Sequence, residues 1–170
     1  MAMLLRPQRG GSKRAIGCGT FIRLFLMGHG PYGTPTINPD IGAPQADIFR
    51  HYKETLRRET AYDRATRIEE RKARKEKRVI NPENIEKLAQ RYLVRLPYKA
   101  QGCRYHSFIT YFSNLVRLGW VELTGQEETS EFQDHYPSGQ PRKYYRLTAA
   151  GKAASDADWA NPQFALYGER

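Results

Sequence analysis

Ser107-Phe108-Ile109-Thr110-Tyr111-Phe112-Ser113-Asn114-Leu115-Val116-Arg117-Leu118, followed by Gly119, opens the stretch that determines the fold. This stretch runs from Ser107 to Gly151. Four apolar residues of this opening recur at the spacing of a helix, and a glycine commonly ends one. They are Phe108, Phe112, Leu115 and Val116. The stretch therefore predicts an amphipathic helix that ends at Gly119.

Two strand-like segments follow this helix. They read Trp120-Val121-Glu122-Leu123-Thr124 and Arg142-Lys143-Tyr144-Tyr145-Arg146-Leu147. Valine, threonine and paired tyrosines favour a two-stranded antiparallel ribbon. Thr148 can cap a further helix that begins just after it. The order is that of a recognition helix followed by a β-hairpin wing.

Two segments resemble winged-helix transcriptional regulators, especially PadR-like and MarR-like ones. They are Leu115-Val116-Arg117-Leu118-Gly119-Trp120-Val121-Glu122 and Arg142-Lys143-Tyr144-Tyr145-Arg146-Leu147-Thr148-Ala149-Ala150-Gly151. Such families end the recognition helix with a leucine-glycine-aromatic turn and close the wing with a Tyr-x-Leu-Thr-x-x-Gly strand. The resemblance implies a mostly α (α+β) fold, a winged helix-turn-helix with a two-stranded β-hairpin wing. It also implies binding to double-stranded DNA in transcription regulation, although winged helices also serve as protein-binding modules.

The charge of the chain agrees with a partner that carries negative charge. The sequence has 28 Lys and Arg against 18 Asp and Glu, a net charge of +10, and such a field attracts phosphate. Between Arg50 and Val79 there are 12 Lys and Arg against 6 Asp and Glu, so this segment holds over half of the net charge. A basic protein need not bind anything, and the charge carries no sequence preference.

We expect three consecutive parts along the chain, the second of which contains an insertion. Residues 1–16 form a flexible basic arm, residues 17–154 the winged-helix domain with a long charged helical insertion at 57–80, and residues 155–170 an aromatic C-terminal tail. The first helix spans Thr20 to Met27 and the second Pro44 to Leu56. The inward residues are expected to be Phe21, Leu24, Phe25 and Met27 in the first helix and Ile48, Phe49, Tyr52 and Leu56 in the second.

The segment from Arg57 to Arg78 is nearly all charged, and we expect a long solvated helix there. Glu54 and Arg58, like Glu70 and Arg74, have the spacing of exposed helical ion pairs. This helix is either a spacer or a nucleic-acid contact. Asn81-Pro82-Glu83 then restarts the fold with an N-cap and a proline in the first turn.

The charged segment is thus an insertion between the second and third helices of a winged helix. A competing layout takes Asn84 to Val94 as the true second helix and treats the N-terminal half of the chain as a separate helical element. In either layout the next apolar stripe consists of Ile85, Leu88, Ala89, Tyr92 and Leu93.

The recognition helix has two faces. At about 100° per residue, Phe108, Phe112 and Leu115 share the core side. The opposite face carries His106, Thr110, Ser113, Asn114 and Arg117. These side chains suit base edges in a major groove, because arginine can bond guanine through two parallel hydrogen bonds and asparagine can do the same with adenine.

The remaining expected DNA contacts lie in the wing and the arm. They are Arg142, Lys143 and Arg146 of the wing and Arg6, Arg9, Lys13 and Arg14 of the arm. Four acids in the wing would be repelled by phosphate, namely Glu127, Glu128, Glu131 and Asp134. They favour the alternative function, a non-catalytic winged-helix adaptor in a larger nucleoprotein or protein assembly.

No motif predicts catalysis, a metal or a cofactor. Cys103 and His106 have the spacing of two zinc ligands but lack a second pair nearby, and no phosphate-loop, Gly-x-Ser-x-Gly or His-Glu-x-x-His pattern occurs. An enzyme, metal-dependent or nucleolytic, is the remote third class. The cysteines Cys18 and Cys103 suggest no disulfide framework, and no targeting or membrane segment is present. We therefore expect a cytoplasmic protein associated with nucleic acid.

The C-terminal tail contains Trp159, Phe164, Leu166 and Tyr167 among polar residues. Aromatic residues this dense in a short tail usually pack against something. Docking onto the chain's own core is favoured slightly over a homodimer contact, the use that related regulators make of helices flanking the wing.

Overall fold

The computed structural model describes residues 16–97, 103–128 and 141–168. The helices in these ranges are α1 (Cys18–Leu26), α2 (Gln45–Glu76), α3 (Pro82–Arg95), α4 (Tyr105–Arg117), α5 (Ala149–Ala153), α6 (Asp156–Ala160) and α7 (Pro162–Tyr167). The strands are β1 (Ala43–Pro44), β2 (Val121–Glu128) and β3 (Arg142–Leu147). The protein is mostly helical with a small three-stranded antiparallel sheet, which confirms the α+β class.

The chain divides into two compact units. The first unit consists of the described residues of Met1–Tyr52 and Arg104–Arg170, and the second of those of Lys53–Cys103. Helix α2 begins in the first unit and continues into the second. Within the described ranges, no helix combines the length and the apolar character needed to cross a membrane.

Helix α1 buries two of the four residues predicted to point inward. Phe21, Ile22, Phe25 and Leu26 are buried, whereas Leu24 and Met27 are only half-buried. The buried set forms two pairs four residues apart, so the inward side lies between the two pairs. Apolar residues occupy five of the six positions from Phe21 to Leu26, so spacing alone does not fix the inward side of the helix.

Helix α2 is one continuous helix, whereas the sequence predicts two, one from Pro44 to Leu56 and a charged one from Arg57 to Arg78. Neither glycine nor proline occurs between Gln45 and Glu76, so nothing in this range breaks the helix. The predicted second helix therefore continues directly into the long charged helix. Pro44 was expected in the second helix but lies in β1, opposite Tyr144. A proline has no N–H to donate, and this is tolerated in an edge strand. Ile48, Tyr52 and Leu56 are buried, as predicted.

The second unit contains a helical hairpin, made of α2 from Lys53 onward and α3. Arg57 ties the two helices together by donating from Nη1 to the carbonyl oxygen of Leu93 at 2.5 Å. Asn81 caps α3 by accepting from the backbone N–H of Glu83, with Pro82 at the first turn, as predicted. Ala89 is buried at the centre of the predicted apolar stripe.

The sheet belongs to the first unit. Strands β2 and β3 form the predicted antiparallel hairpin, with Val121 opposite Leu147, and β1 adds an unpredicted third strand beside β3. Gly42 allows this pairing, because it has a φ of +75° and a Cβ there would lie 1.8 Å from the carbonyl oxygen of Tyr145. A two-residue strand carries no periodicity, so the sequence reads as a turn.

The chain after β3 packs onto the first unit. The side chain of Thr148 caps α5 by accepting from the backbone N–H of Gly151, as predicted. Trp159 in α6 is 1% exposed, lies 5.0 Å from Trp120 between ring centroids, and donates from its indole to the carbonyl oxygen of Gly151. Self-docking of the tail is therefore confirmed for Trp159. Phe164 and Tyr167 in α7 remain exposed.

Candidate nucleic-acid interface

Helix α4 is fixed in rotation by its inner face. Phe108, Phe112 and Leu115 are at most 1% exposed, so the predicted core side is confirmed. The ring of Phe108 lies 5.1 Å from that of Phe49, and the ring of Phe112 meets Tyr145 edge-on at 4.9 Å. Because aromatic contacts on two sides hold this face, the opposite face of α4 is held outward.

The outer face of α4 carries the polar residues predicted from the sequence. His106, Thr110, Ser113 and Arg117 are exposed, and Asn114 is half-buried. The hydroxyl of Thr110 donates to the carbonyl oxygen of His106 at 3.1 Å, which leaves its lone pairs available as acceptors.

Two apolar side chains share the surface of α4. Ile109 is 39% exposed and Val116 is 43% exposed. Val116 belongs to the apolar repeat of α4 but not to its predicted core side, and its exposure agrees with this. Val116 directly follows the fully buried Leu115, and neighbouring helical residues point about 100° apart.

Helix α7 borders the outer face of α4. Gln163 and Tyr167 of α7 line a groove of about 380 Å³ together with Ile109, Thr110, Ser113, Asn114 and Arg117. Nη1 of Arg117 donates to the hydroxyl oxygen of Tyr167 at 3.5 Å, at the limit of a hydrogen bond. Helix α7 thus flanks the polar residues without closing over them, since three of them stay exposed: Thr110, Ser113 and Arg117.

The contribution of α7 was not predicted, although the sequence holds its start signal. Asn161 caps α7 by accepting from the backbone N–H of Phe164, and Pro162 occupies the first turn. The same asparagine-proline signal was recognised at Asn81. Applied to the tail, it would have predicted α7, but not its position beside α4.

The wing residues differ in how free their charges are. Arg142 pairs with Asp47 at 2.5 Å and with Glu128 at 2.6 Å, and Nε of Arg146 pairs with Glu122 at 2.9 Å. Lys143 is exposed. Lys143 is therefore the wing cation best placed to meet a partner.

The acids of the wing are partly neutralised. Glu128 accepts from Arg142 and from the hydroxyl of Tyr144, the latter at 2.7 Å. Glu127 is exposed. The two further acids, Glu131 and Asp134, lie outside the described residues, as do the four arm residues Arg6, Arg9, Lys13 and Arg14.

His106 lies in the first turn of α4, and Cys103 lies two residues before that helix begins. Burial raises the pKa of the Cys103 thiol, which opposes the thiolate form that a metal requires. Within the described residues, no group of three or more His, Cys, Asp or Glu side chains could hold a metal ion.

Comparison with known proteins returned no relative. No family model matches this chain, and neither a curated protein nor a solved structure matches it.

Proposed function

We propose that the first unit is a winged helix that binds double-stranded DNA and reads its sequence with α4, as a transcriptional regulator or a replication-associated factor. The observation that carries the proposal is the division of α4 into a buried aromatic face and an exposed polar face, followed directly by the β2–β3 hairpin. A major groove about 12 Å wide admits one helix with its polar side chains against the bases.

The arrangement of the first unit supports this fold. Helix α1 and the start of α2 supply two helices before α4, and β1 lies between them and pairs with the returning wing strand β3. The second unit, Lys53–Cys103, separates the start of α2 from α4 in the chain. The predicted insertion at 57–80 lies within this unit, and so does Asn84 to Val94, the second helix of the competing layout.

The side chains of the outer face suit direct readout. Arg117 can donate two parallel hydrogen bonds to guanine, while Ser113 and Thr110 can bond either kind of base edge. Because Asn114 is half-buried, a base would have to approach it more closely than it approaches the other side chains of this face. His106, in the first turn, lies where a phosphate or a base edge would meet the start of α4.

One of the four wing acids that oppose DNA binding, Glu128, is paired in the structure. Arg142 and Arg146 neutralise Glu128 and Glu122 within the sheet, so these acids repel phosphate less than free carboxylates would. Lys143 remains exposed for a phosphate contact, which would position the protein without reading sequence. Arg142 and Arg146 then act mainly by shaping the wing.

The second candidate function is a non-catalytic winged-helix adaptor that binds a protein. Exposed apolar side chains beside the groove favour it, because Ile109 is 39%, Phe164 57% and Tyr167 54% exposed. A protein partner would cover this surface, whereas a DNA duplex would leave part of it in water. The two functions differ in their dependence on salt, which is steep for DNA.

Arg117→Ala tests the proposed reading face. We expect it to weaken binding to a preferred DNA site by about 1–3 kcal/mol and to leave binding to random DNA nearly unchanged. The measurement is the dissociation constant for both duplexes at one salt concentration.

Two variants serve as controls for Arg117→Ala. Lys152→Ala removes one positive charge from an exposed position on α5 and should affect both duplexes equally and weakly. Tyr167→Phe removes the hydroxyl that Arg117 meets and should leave discrimination intact. Equal losses on preferred and random DNA for Arg117→Ala would refute base reading by this residue.

A further inference from the structure

Four arginines form a stripe along α2 in the second unit, and we call Arg64, Arg67, Arg71 and Arg74 the arginine stripe. They follow each other at spacings of three, four and three residues, which places them on one face of a helix. All four side chains are exposed. At about 1.5 Å per residue the stripe is about 15 Å long.

The arginine stripe lies on the side of α2 away from its buried residues. Ala61, Ala65 and Ala73 are at most 2% exposed, and Glu69 is 1% exposed. At about 100° per residue these four positions centre on the side of the helix opposite the stripe. The stripe therefore faces outward for its whole length.

Three acids of α2 pair with arginines outside the stripe. Glu54 pairs with Arg57 and Arg58, at 3.0 and 3.6 Å. At the other end of the helix, both Glu69 and Glu76 pair with Arg78. These acids are thus compensated away from the stripe and do not cancel its charge.

Three members of the stripe, Arg64, Arg71 and Arg74, form no ion pair within the part of the chain that the structure describes. Arg67 pairs with Asp63 at 3.1 Å, but both side chains are over a third exposed, and such a pair contributes little and exchanges readily. Arg78, at the end of the charged segment, pairs with Glu69 and Glu76.

We infer that the arginine stripe is a second DNA-contacting surface, which binds backbone phosphates without reading sequence. The inference rests on the proposed DNA-binding function and extends it to the second unit. Guanidinium groups bind phosphate oxygens through paired hydrogen bonds, and a duplex presents one negative charge per about 1.7 Å of its axis. A row of outward arginines, three of which form no ion pair within the described residues, matches this linear array of charge.

The test replaces three stripe residues in the full chain, as Arg64→Gln, Arg71→Gln and Arg74→Gln together. The matched control makes Lys87→Gln, Arg91→Gln and Arg95→Gln on α3, which removes three exposed charges from the same unit. For each protein, the affinity for a preferred and a random duplex is measured over a series of salt concentrations. Thermal unfolding of each variant verifies that it is folded.

We expect the stripe variant to lose affinity for both duplexes by the same factor. The slope of log affinity against log salt should fall by about 0.9 for each lost contact, thus by about 2.7 for three. The control should change the slope by much less.

Two results would overturn the inference while the proposed function stands. One is an unchanged slope in the stripe variant when Arg117→Ala still loses discrimination, which would assign the stripe to solvent or to an acidic protein. The other is an equal fall in slope for the stripe variant and the control, since the effect would then come from net charge alone. Absence of DNA binding by the unmodified chain would refute both proposals.

Discussion

The side chain of a single residue, Phe112, joins α4 to the sheet. Its ring stacks with Phe108 at 5.9 Å and meets Tyr145 of β3 edge-on at 4.9 Å, and its side chain is 1% exposed. One side chain therefore holds the proposed reading helix against the strand that closes the wing.

Phe112→Ala should destabilise the fold by about 3–5 kcal/mol, because it removes a buried ring and leaves a cavity. The measurement is the free energy of unfolding in denaturant. Any loss of DNA binding should follow the unfolded fraction of the protein.

Val116→Ala is the control on the same helix. Val116 is 43% exposed, so its truncation should change stability by no more than about 0.5 kcal/mol. If Phe112→Ala melted normally yet failed to bind DNA, the rotation of α4 described above would be wrong.

The turn between α2 and α3 is organised by one buried carboxylate. Glu69 accepts from Arg78 at 2.5 Å, from the backbone N–H of Asn81 at 2.9 Å and from the side-chain amide of Asn84 at 3.3 Å. The hydrogen bonds from Arg78 and then Asn81 lower the pKa of Glu69 from 4.5 to about 2. Glu69 thus fixes the turn between α2 and α3, which follows the arginine stripe in the chain.

Glu69→Gln should lower the melting temperature at neutral pH, and the difference from the unmodified protein should shrink in acid. The folded chain keeps this carboxylate charged below its ordinary pKa of 4.5, where the unfolded chain binds a proton. The stabilisation is therefore complete above that pH and is lost as the pH falls towards 2. Melting curves across this range measure the effect.

Glu70→Gln controls for the loss of a negative charge one residue away from the Glu69 cluster. At neutral pH it should change stability by no more than about 0.5 kcal/mol. A constant difference between Glu69→Gln and the unmodified protein would contradict a stabilising charge at this position.

At the scale of the whole molecule, the sequence predicted most of what periodicity and caps encode. The rotation of α4, the β2–β3 hairpin, the cap at Asn81 and the cap at Thr148 are all confirmed. These features depend on residues close together in the chain. Only Phe21 and Phe25 of the predicted inward residues of α1 are buried, and the unbroken length of α2 was not predicted because the composition becomes highly charged from Arg57 onward.

Long-range contacts could not be predicted in the same way. Strand β1 exists because Gly42 lets the chain approach Tyr145 closely, and α7 borders α4 through Tyr167. The pairing of Arg142 with Asp47 likewise joins residues far apart in the sequence. Contacts between residues far apart in the sequence leave no local pattern in it. The polar side chains of α4 were therefore predicted, but the residues of α7 beside them were not.

The most direct test of the central claim compares the affinity of the full chain for two duplexes at physiological salt. One is a site selected from a random pool, and the other has the same composition in scrambled order. Base reading by α4 predicts at least about 10³-fold tighter binding to the selected site. Equal affinity for the two duplexes, or a pool that yields no common site, would contradict the claim.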